Sequence, residues 1–216
     1  MPVYLLDDSL WFPPVAEARE DGLLAVGGDL SMERLLLAYQ NGIFPWFNED
    51  DPILWWSPDP RFVLFPEELK VSKSMQRIIS REDFVFKVNT AFEEVIGNCS
   101  SVKRKGMDGT WITEDIVMAY TALHKLGYAH SAEAWQDGRL VGGLYGIKLG
   151  DIFFGESMFS KVSNASKFAF IELVGVLQQQ GVKLIDCQVH TAHLESLGAR
   201  MIPRALYIDM LKTHTG

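Results

Sequence analysis

The stretch from Ala129 to Phe159 constrains the fold most tightly, because its turns leave the chain one way to run. Ala129–Trp135, Leu140–Lys148 and Ile152–Phe159 are β-prone runs, and Asp137-Gly138 and Gly150-Asp151 separate them. Asp-Gly and Gly-Asp links supply the positive backbone angles of tight hairpins, so three consecutive strands fold back as an antiparallel meander. Helical spacing surrounds it. Ser72–Ser80 reads as a helix, Phe84–Val88 as a strand and Ala91–Cys99 as a helix, and Thr113 caps a further helix from Glu114 to Leu126. After the meander the periodicity predicts a helix over Ala165–Gln180, a strand over 184–190, a short helix His193–Leu197 and a last strand Arg204–Met210.

The first 65 residues differ. They are rich in Pro, Gly and Trp, and carry one clear helix with Ser31 as N-cap and Leu35, Leu36, Ala38 and Tyr39 at helical spacing before Gly42. The expected class is therefore α+β: a small N-terminal α/β domain over 1–65, then a C-terminal domain over 66–216 with a mostly antiparallel sheet. A meander, a long helix, a strand, a short helix and a strand is the element order of acetyltransferase-like (GNAT) domains. An acyl-CoA-dependent N-acetyltransferase is the activity that order alone suggests. However, the stretch Ser160–Lys167, where such enzymes carry a glycine-rich pyrophosphate loop at a helix N-terminus, has no glycine, which disfavours acetyl-CoA.

Two strand-like runs in the apolar half contain polar intrusions. In Leu184-Ile185-Asp186-Cys187-Gln188-Val189, an ideal strand places Asp186 and Gln188 on one face and Ile185, Cys187 and Val189 on the other. In Ile152–Phe159 the lone carboxylate is Glu156. Buried carboxylates are costly unless paired, so the two runs point to a site. The structural alternatives are that Asp186 caps a loop at a strand end, and that Glu156 faces solvent or pairs with a lysine such as Lys167.

A net charge of −8 argues against indiscriminate binding to nucleic acid. The acidic residues are dense in the first 68 positions, whereas Lys70, Lys73, Arg77 and Arg81 cluster and Lys103-Arg104-Lys105 form a triplet. Such a face is either ordinary solvated surface or a grip for a short phosphate backbone. The apolar runs fall short of the ~20 residues of a membrane span, and the N-terminal residues lack a signal-peptide pattern. With Cys99 and Cys187 as the only cysteines, neither a disulfide framework nor a zinc site is expected, and a cytoplasmic, monomeric protein without metal or cofactor is the reading.

Several words of the chain occur together in one known group. Gly42-Ile43-Phe44-Pro45-Trp46-Phe47, Leu54-Trp55-Trp56-Ser57-Pro58-Asp59-Pro60-Arg61, Gly109-Thr110-Trp111-Ile112-Thr113, Gly155-Glu156-Ser157-Met158-Phe159-Ser160 and Leu184-Ile185-Asp186-Cys187-Gln188-Val189 closely resemble the bacterial leucyl/phenylalanyl-tRNA–protein transferases, in order, from about residue 20 to 208. The resemblance implies a GNAT-like C-terminal domain. It also implies transfer of Leu or Phe, less readily Met, from aminoacyl-tRNA to proteins with N-terminal Arg or Lys, tagging them for N-end-rule degradation. Asp186 and Gln188 match the family's catalytic pair, and Glu156 matches the residue that meets the aminoacyl α-amino group. Trp46 and Trp111 match the pair that stacks on the terminal adenine of the tRNA 3' end, a contact that carries ~1–3 kcal/mol per base. Leu144, Phe153, Met158, Phe170 and Ile185 are expected to build the apolar side-chain pocket, and Lys70, Lys73, Arg77 and Arg81 to meet acceptor-stem phosphates. Lys161 departs from the commoner arginine, keeping the charge without the fork.

Overall fold

The computed structural model describes residues 3–102 and 112–215. The N-terminal part holds β1 (Tyr4–Leu6), β2 (Leu23–Gly27), α1 (Met32–Gln40), β3 (Phe44–Pro45) and β4 (Leu54–Trp56). Its four strands pair in the order β1-β2-β4-β3, with β1 and β2 parallel and the other pairs antiparallel. Ser31 starts α1, its hydroxyl accepting the Arg34 N–H and so satisfying one of the donors that every helix start leaves open.

The larger part continues with β5 (Arg61–Leu64), α2 (Lys73–Ser80), β6 (Val85–Val88), α3 (Phe92–Ser100), α4 (Glu114–Lys125), β7 (Ala129–Gln136), β8 (Arg139–Leu149) and β9 (Ile152–Ser160). After these come α5 (Ala165–Gln179), β10 (Leu184–Gln188), α6 (Ala192–Glu195), β11 (Arg200–Ile202) and α7 (Arg204–His214). Their strands form one seven-stranded sheet in the order β11-β5-β10-β9-β8-β7-β6. The meander is as expected: β6 to β9 pair antiparallel in succession, and β10 returns parallel to β9 after α5. The mixed α+β class and the acetyltransferase-like order of elements hold. No helix among the described residues is long and apolar enough to cross a membrane.

Two expectations change. A boundary at residue 65 does not separate the sheets, because β5 lies inside the larger one, between β10 and β11. The last segment is a helix rather than a strand over Arg204–Met210. It starts after Pro203 and buries Tyr207 and Leu211, four residues apart, while Leu206 stays exposed. A four-residue repeat defines a helical face, and it overrides the β propensity of aromatic Tyr207 and β-branched Ile208 in that run.

Both faces of the large sheet are covered, which is why its strands read as nearly continuous apolar runs. One core cluster runs from the small sheet to the large one, joining Leu24, Leu35 and Trp55 to Tyr145, Phe154 and Leu211. The other lies under α5 and contains Phe62, Leu144, Phe153, Phe168 and Ile185. Neighbouring Phe153 and Phe154 therefore serve opposite cores. α5 sits directly on β8: a Cβ at Gly142 would lie 2.6 Å from the Ala165 Cβ and 2.8 Å from the Ser166 N. Only glycine permits that approach.

Candidate active site

A cavity of about 400 Å³ opens where β9 and β10 part. Their parallel pairing ends at Phe154 and Asp186, while β9 runs on to Ser160 with β8. Gly155, Glu156, Ser157 and Met158 line one side of the gap, and Ile185, Cys187, Gln188 and Val189 the other. Leu144 and Phe170 add apolar surface, and Phe44, Pro45 and Trp46 reach over from β3 and the loop after it.

Local breaks in strand pairing aim the two polar groups. Tyr145 pairs with Ser157 and Gly146 with Gly155, so Glu156 is an extra residue in β9. On β10, Asp186 pairs with Val63 and Gln188 with Phe62, so Cys187 is the extra residue, and Gln188 adopts a left-handed φ of 63°. A bulge re-aims side chains that strict alternation would send elsewhere. Gln188 thus faces the cavity together with Ile185 and Cys187, and Asp186 faces away.

Glu156 is buried at the cavity wall. Its Oε1 accepts the Tyr39 hydroxyl at 2.7 Å and the Gln188 Nε2 at 2.8 Å, and its Oε2 lies 3.3 Å from the Tyr120 hydroxyl. The two tyrosine hydroxyls also hydrogen-bond to each other. These partners are all neutral. Burial pushes the Glu156 carboxyl up to about 7, against the three hydrogen bonds that favour its charged form, and the nearby Asp186 carboxylate adds to the rise. Both tyrosines are held well above the ordinary phenol range, first by burial and then by Glu156.

Asp186 has the opposite environment. Arg61 grips it bidentately, Nε to Oδ1 at 2.8 Å and an η-nitrogen to Oδ2 at 2.6 Å, and the Tyr207 hydroxyl donates to Oδ2 at 2.7 Å. Oδ1 also accepts the backbone N–H of Gln188 at 2.9 Å. Arg61 lies between the rings of Phe44 and Tyr207, 4.7 and 4.8 Å from their centroids. Although burial opposes its charge, Asp186 holds the Arg61 guanidinium above its usual range. A fully buried, four-bonded carboxylate of this kind fixes geometry.

A model of the leucyl/phenylalanyl-tRNA protein transferase matches residues 63–212, and one of that family's N-terminal domain matches 28–59. A leucyl/phenylalanyl-tRNA–protein transferase of Flavobacterium johnsoniae is 58% identical over 98% of this chain and 100% of its own. One from Syntrophobacter fumaroxidans is 56% identical over 98% of this chain and 90% of its own. The chain belongs to this transferase family. A GCN5-related N-acetyltransferase-like protein of Streptococcus suis aligns over 82% of the chain and 67% of its own at 13% identity, with a TM-score of 0.40.

In this transferase, Leu144, Met158, Phe170 and Ile185 line the cavity with Trp46, Glu156 and Gln188. Phe153 does not. Its ring fills the space beside Gly146, where a Cβ would meet it at 2.5 Å, and it belongs to the core under α5. Asp186 does not line the cavity either, and its carboxylate meets Gln188 through the backbone, so the expected side-by-side pair is replaced by a Glu156–Gln188 pair. The structural alternative for Glu156, a pair with a lysine such as Lys167, is not what forms: its partners are the neutral Tyr39, Tyr120 and Gln188. Trp111 and the 103–105 triplet lie outside the described residues. Lys73, Arg77 and Arg81 line a shallow groove on α2, and Lys70 precedes it, its backbone N–H bonded to the Leu197 carbonyl.

Arg61, Tyr39, Tyr120, Tyr207 and His193 join the site without having been marked as site residues by the sequence. Tyrosines on otherwise apolar helix faces were the available signal, since a buried phenol needs a partner and buried carboxylates need donors. His193 lines the cavity with a buried Nε2 that has no hydrogen-bond partner among the described residues, and burial, then Lys167, lowers its pKa. Glu133 is a buried carboxylate of another kind: it takes the N–H groups of Thr90 and Ala91, the Ser131 and Thr90 hydroxyls and the Trp135 Nε1. It anchors the start of α3, and its donors leave it no room for a substrate.

Proposed function

We propose that this enzyme moves a leucyl or phenylalanyl group, less readily methionyl, from the 3' end of aminoacyl-tRNA to the α-amino group of proteins beginning with Arg or Lys. The observation that carries this reading is one apolar cavity with a carboxylate and an amide side by side on its wall. The cavity takes the donor's side chain. Glu156, whose protein partners are neutral, receives the donor's α-ammonium, which selects against blocked amino groups.

Gln188 commits its Nε2 to Glu156, which turns its carbonyl oxygen to the cavity. That oxygen accepts a hydrogen of the attacking amine and holds the nitrogen in line with the ester carbonyl. A C–N bond forms, the ester C–O bond breaks, and the leaving ribose oxygen takes the proton. Asp186 acts through the backbone: by accepting the Gln188 N–H it holds that residue in its left-handed conformation, with Arg61 and Tyr207 fixing the carboxylate. Trp46, joined by Trp111, stacks on the terminal adenine, and Lys70, Lys73, Arg77 and Arg81 meet acceptor-stem phosphates. The enzyme acts as a cytoplasmic monomer, and the tagged products go to N-end-rule degradation.

Labelled Leu-tRNA incubated with a peptide beginning in Lys tests the whole reading. Label should move to the peptide, and Gln188→Ala should slow transfer by about 10²-fold with donor affinity nearly unchanged. Absence of labelled peptide with the parent enzyme refutes the reading.

A further inference from the structure

The tyrosines behind Glu156 come from parts of the chain far from the strands that carry the site. Tyr39 is on α1 of the N-terminal part and Tyr120 is on α4, and both are fully buried. Each ring has its own packing: Tyr39 lies 5.1 Å from the Phe154 ring and Tyr120 lies 5.6 Å from that of Tyr145. Apolar packing alone would be served by phenylalanine, so the hydroxyls need a separate reason.

Counting protons orders the network. With Glu156 ionised, as ammonium binding requires, the two phenols supply two protons, yet they share three contacts: Tyr39 with Oε1 at 2.7 Å, Tyr120 with Oε2 at 3.3 Å, and the two hydroxyls with each other. The 3.3 Å contact is the long one, so Tyr120 donates to Tyr39 and Tyr39 donates to Oε1. Oε1 then holds two donors, Tyr39 and the Gln188 Nε2, which leaves Oε2 as the oxygen with open acceptor capacity.

We infer that Tyr39 and Tyr120 are positioning residues, which set the donor order around Glu156 so that its Oε2 meets the donor's ammonium and the Gln188 carbonyl meets the attacking amine. The inference rests on the role proposed above for Glu156. It makes the N-terminal part, through Tyr39, a component of amino-group recognition.

The groups facing Glu156 set its titration. Burial raises its pKa most and Asp186, with Arg61 and Tyr207 behind it, adds to the rise, whereas Tyr39 and Gln188 lower it by direct hydrogen bonds and Tyr120 lowers it from behind Tyr39. Among the described residues, Cys187 and His193 are the other titratable groups that line the cavity. Binding of an ammonium needs the carboxylate, so KM for the donor should rise as pH falls through about 7. Removing a phenol donor takes away stabilisation of the charged form and moves that limb to higher pH.

The test uses the full chain with leucyl-adenosine donors bearing a free or an N-acetylated α-amino group. Tyr39→Phe should raise KM for the free donor about tenfold, narrow the preference over the acetylated donor, and shift the acid limb upward by about half a pH unit or more. Tyr120→Phe should act in the same direction and less, since it donates through Tyr39, and it carries the test if Tyr39→Phe fails to fold. Parent-like discrimination and an unshifted acid limb in the folded phenylalanine variants would overturn the inference. Glu156→Gln separates this from the underlying reading: if it keeps the preference for a free amino group, the role of Glu156 itself is wrong.

Discussion

Glu156 links stability to pH. Its pKa of about 7 in the folded chain stands above the ordinary 4.5, so the folded state keeps a proton that the unfolded chain has already lost between those values. The folded state binds more protons in that window, and stability therefore falls as pH rises through it. Glu156→Gln removes the liability. It should stabilise the protein by roughly 2–3 kcal/mol at pH 8 relative to its effect near pH 4.5, as read from urea unfolding at the two pH values. An effect equal at both would mean that another group carries the linkage. Arg61 presents the converse case: Arg61→Leu strands the Asp186 carboxylate in the core and should cost about 3–5 kcal/mol. Adding Asp186→Leu should recover much of that stability without restoring transfer, because nothing then accepts the Gln188 N–H. Recovery of both would show that the ion pair serves packing alone.

α2 is an element with two faces. Met75 is buried, while Lys73, Arg77 and Arg81 are exposed and recur every four residues along one outer stripe. Asp83 pairs with Arg81 at 2.6 Å, leaving Lys73 and Arg77 as the stronger candidates for phosphate contact. Replacing both with alanine should reduce the slope of log affinity for aminoacyl-tRNA against log salt by about one to two, equally for tRNAs of different sequence. Transfer from an aminoacyl-adenosine mimic, which has no stem, should be unchanged. An unchanged salt slope would leave α2 as solvated surface.

At the scale of the molecule, the two sheets share a core and a site. Trp55 of β4 and Leu35 of α1 belong to the same cluster as Phe154 of β9 and Leu211 of α7, and the N-terminal part contributes Phe44, Pro45 and Trp46 to the cavity. The chain should therefore unfold as one unit. Near-UV circular dichroism, dominated by tryptophans in the N-terminal part, and far-UV signal, dominated by the larger part, should give the same urea midpoint. Two separated transitions would show that the N-terminal sheet is an independent domain.

What the amino-acid order determined alone was local. Asp-Gly and Gly-Asp links made the meander, Ser31, Ser72 and Thr113 started helices where their hydroxyls now accept backbone N–H groups, and the intrusions of Glu156, Asp186 and Gln188 marked the strands around the cavity. Motif words pointed to the family, and four of five expected apolar lining residues are in place. Tertiary structure decided the division of labour. Alternation along a strand is a local rule, but a bulge depends on which strand pairs with which, and β10 meets β5 across more than a hundred residues of chain. The left-handed turn at Gln188 separated the amide from Asp186 and delivered it to Glu156. Arg61, Tyr39, Tyr120 and Tyr207 become partners of the carboxylates only when distant elements pack, because buried charge takes its donors from whatever the fold brings within hydrogen-bond reach.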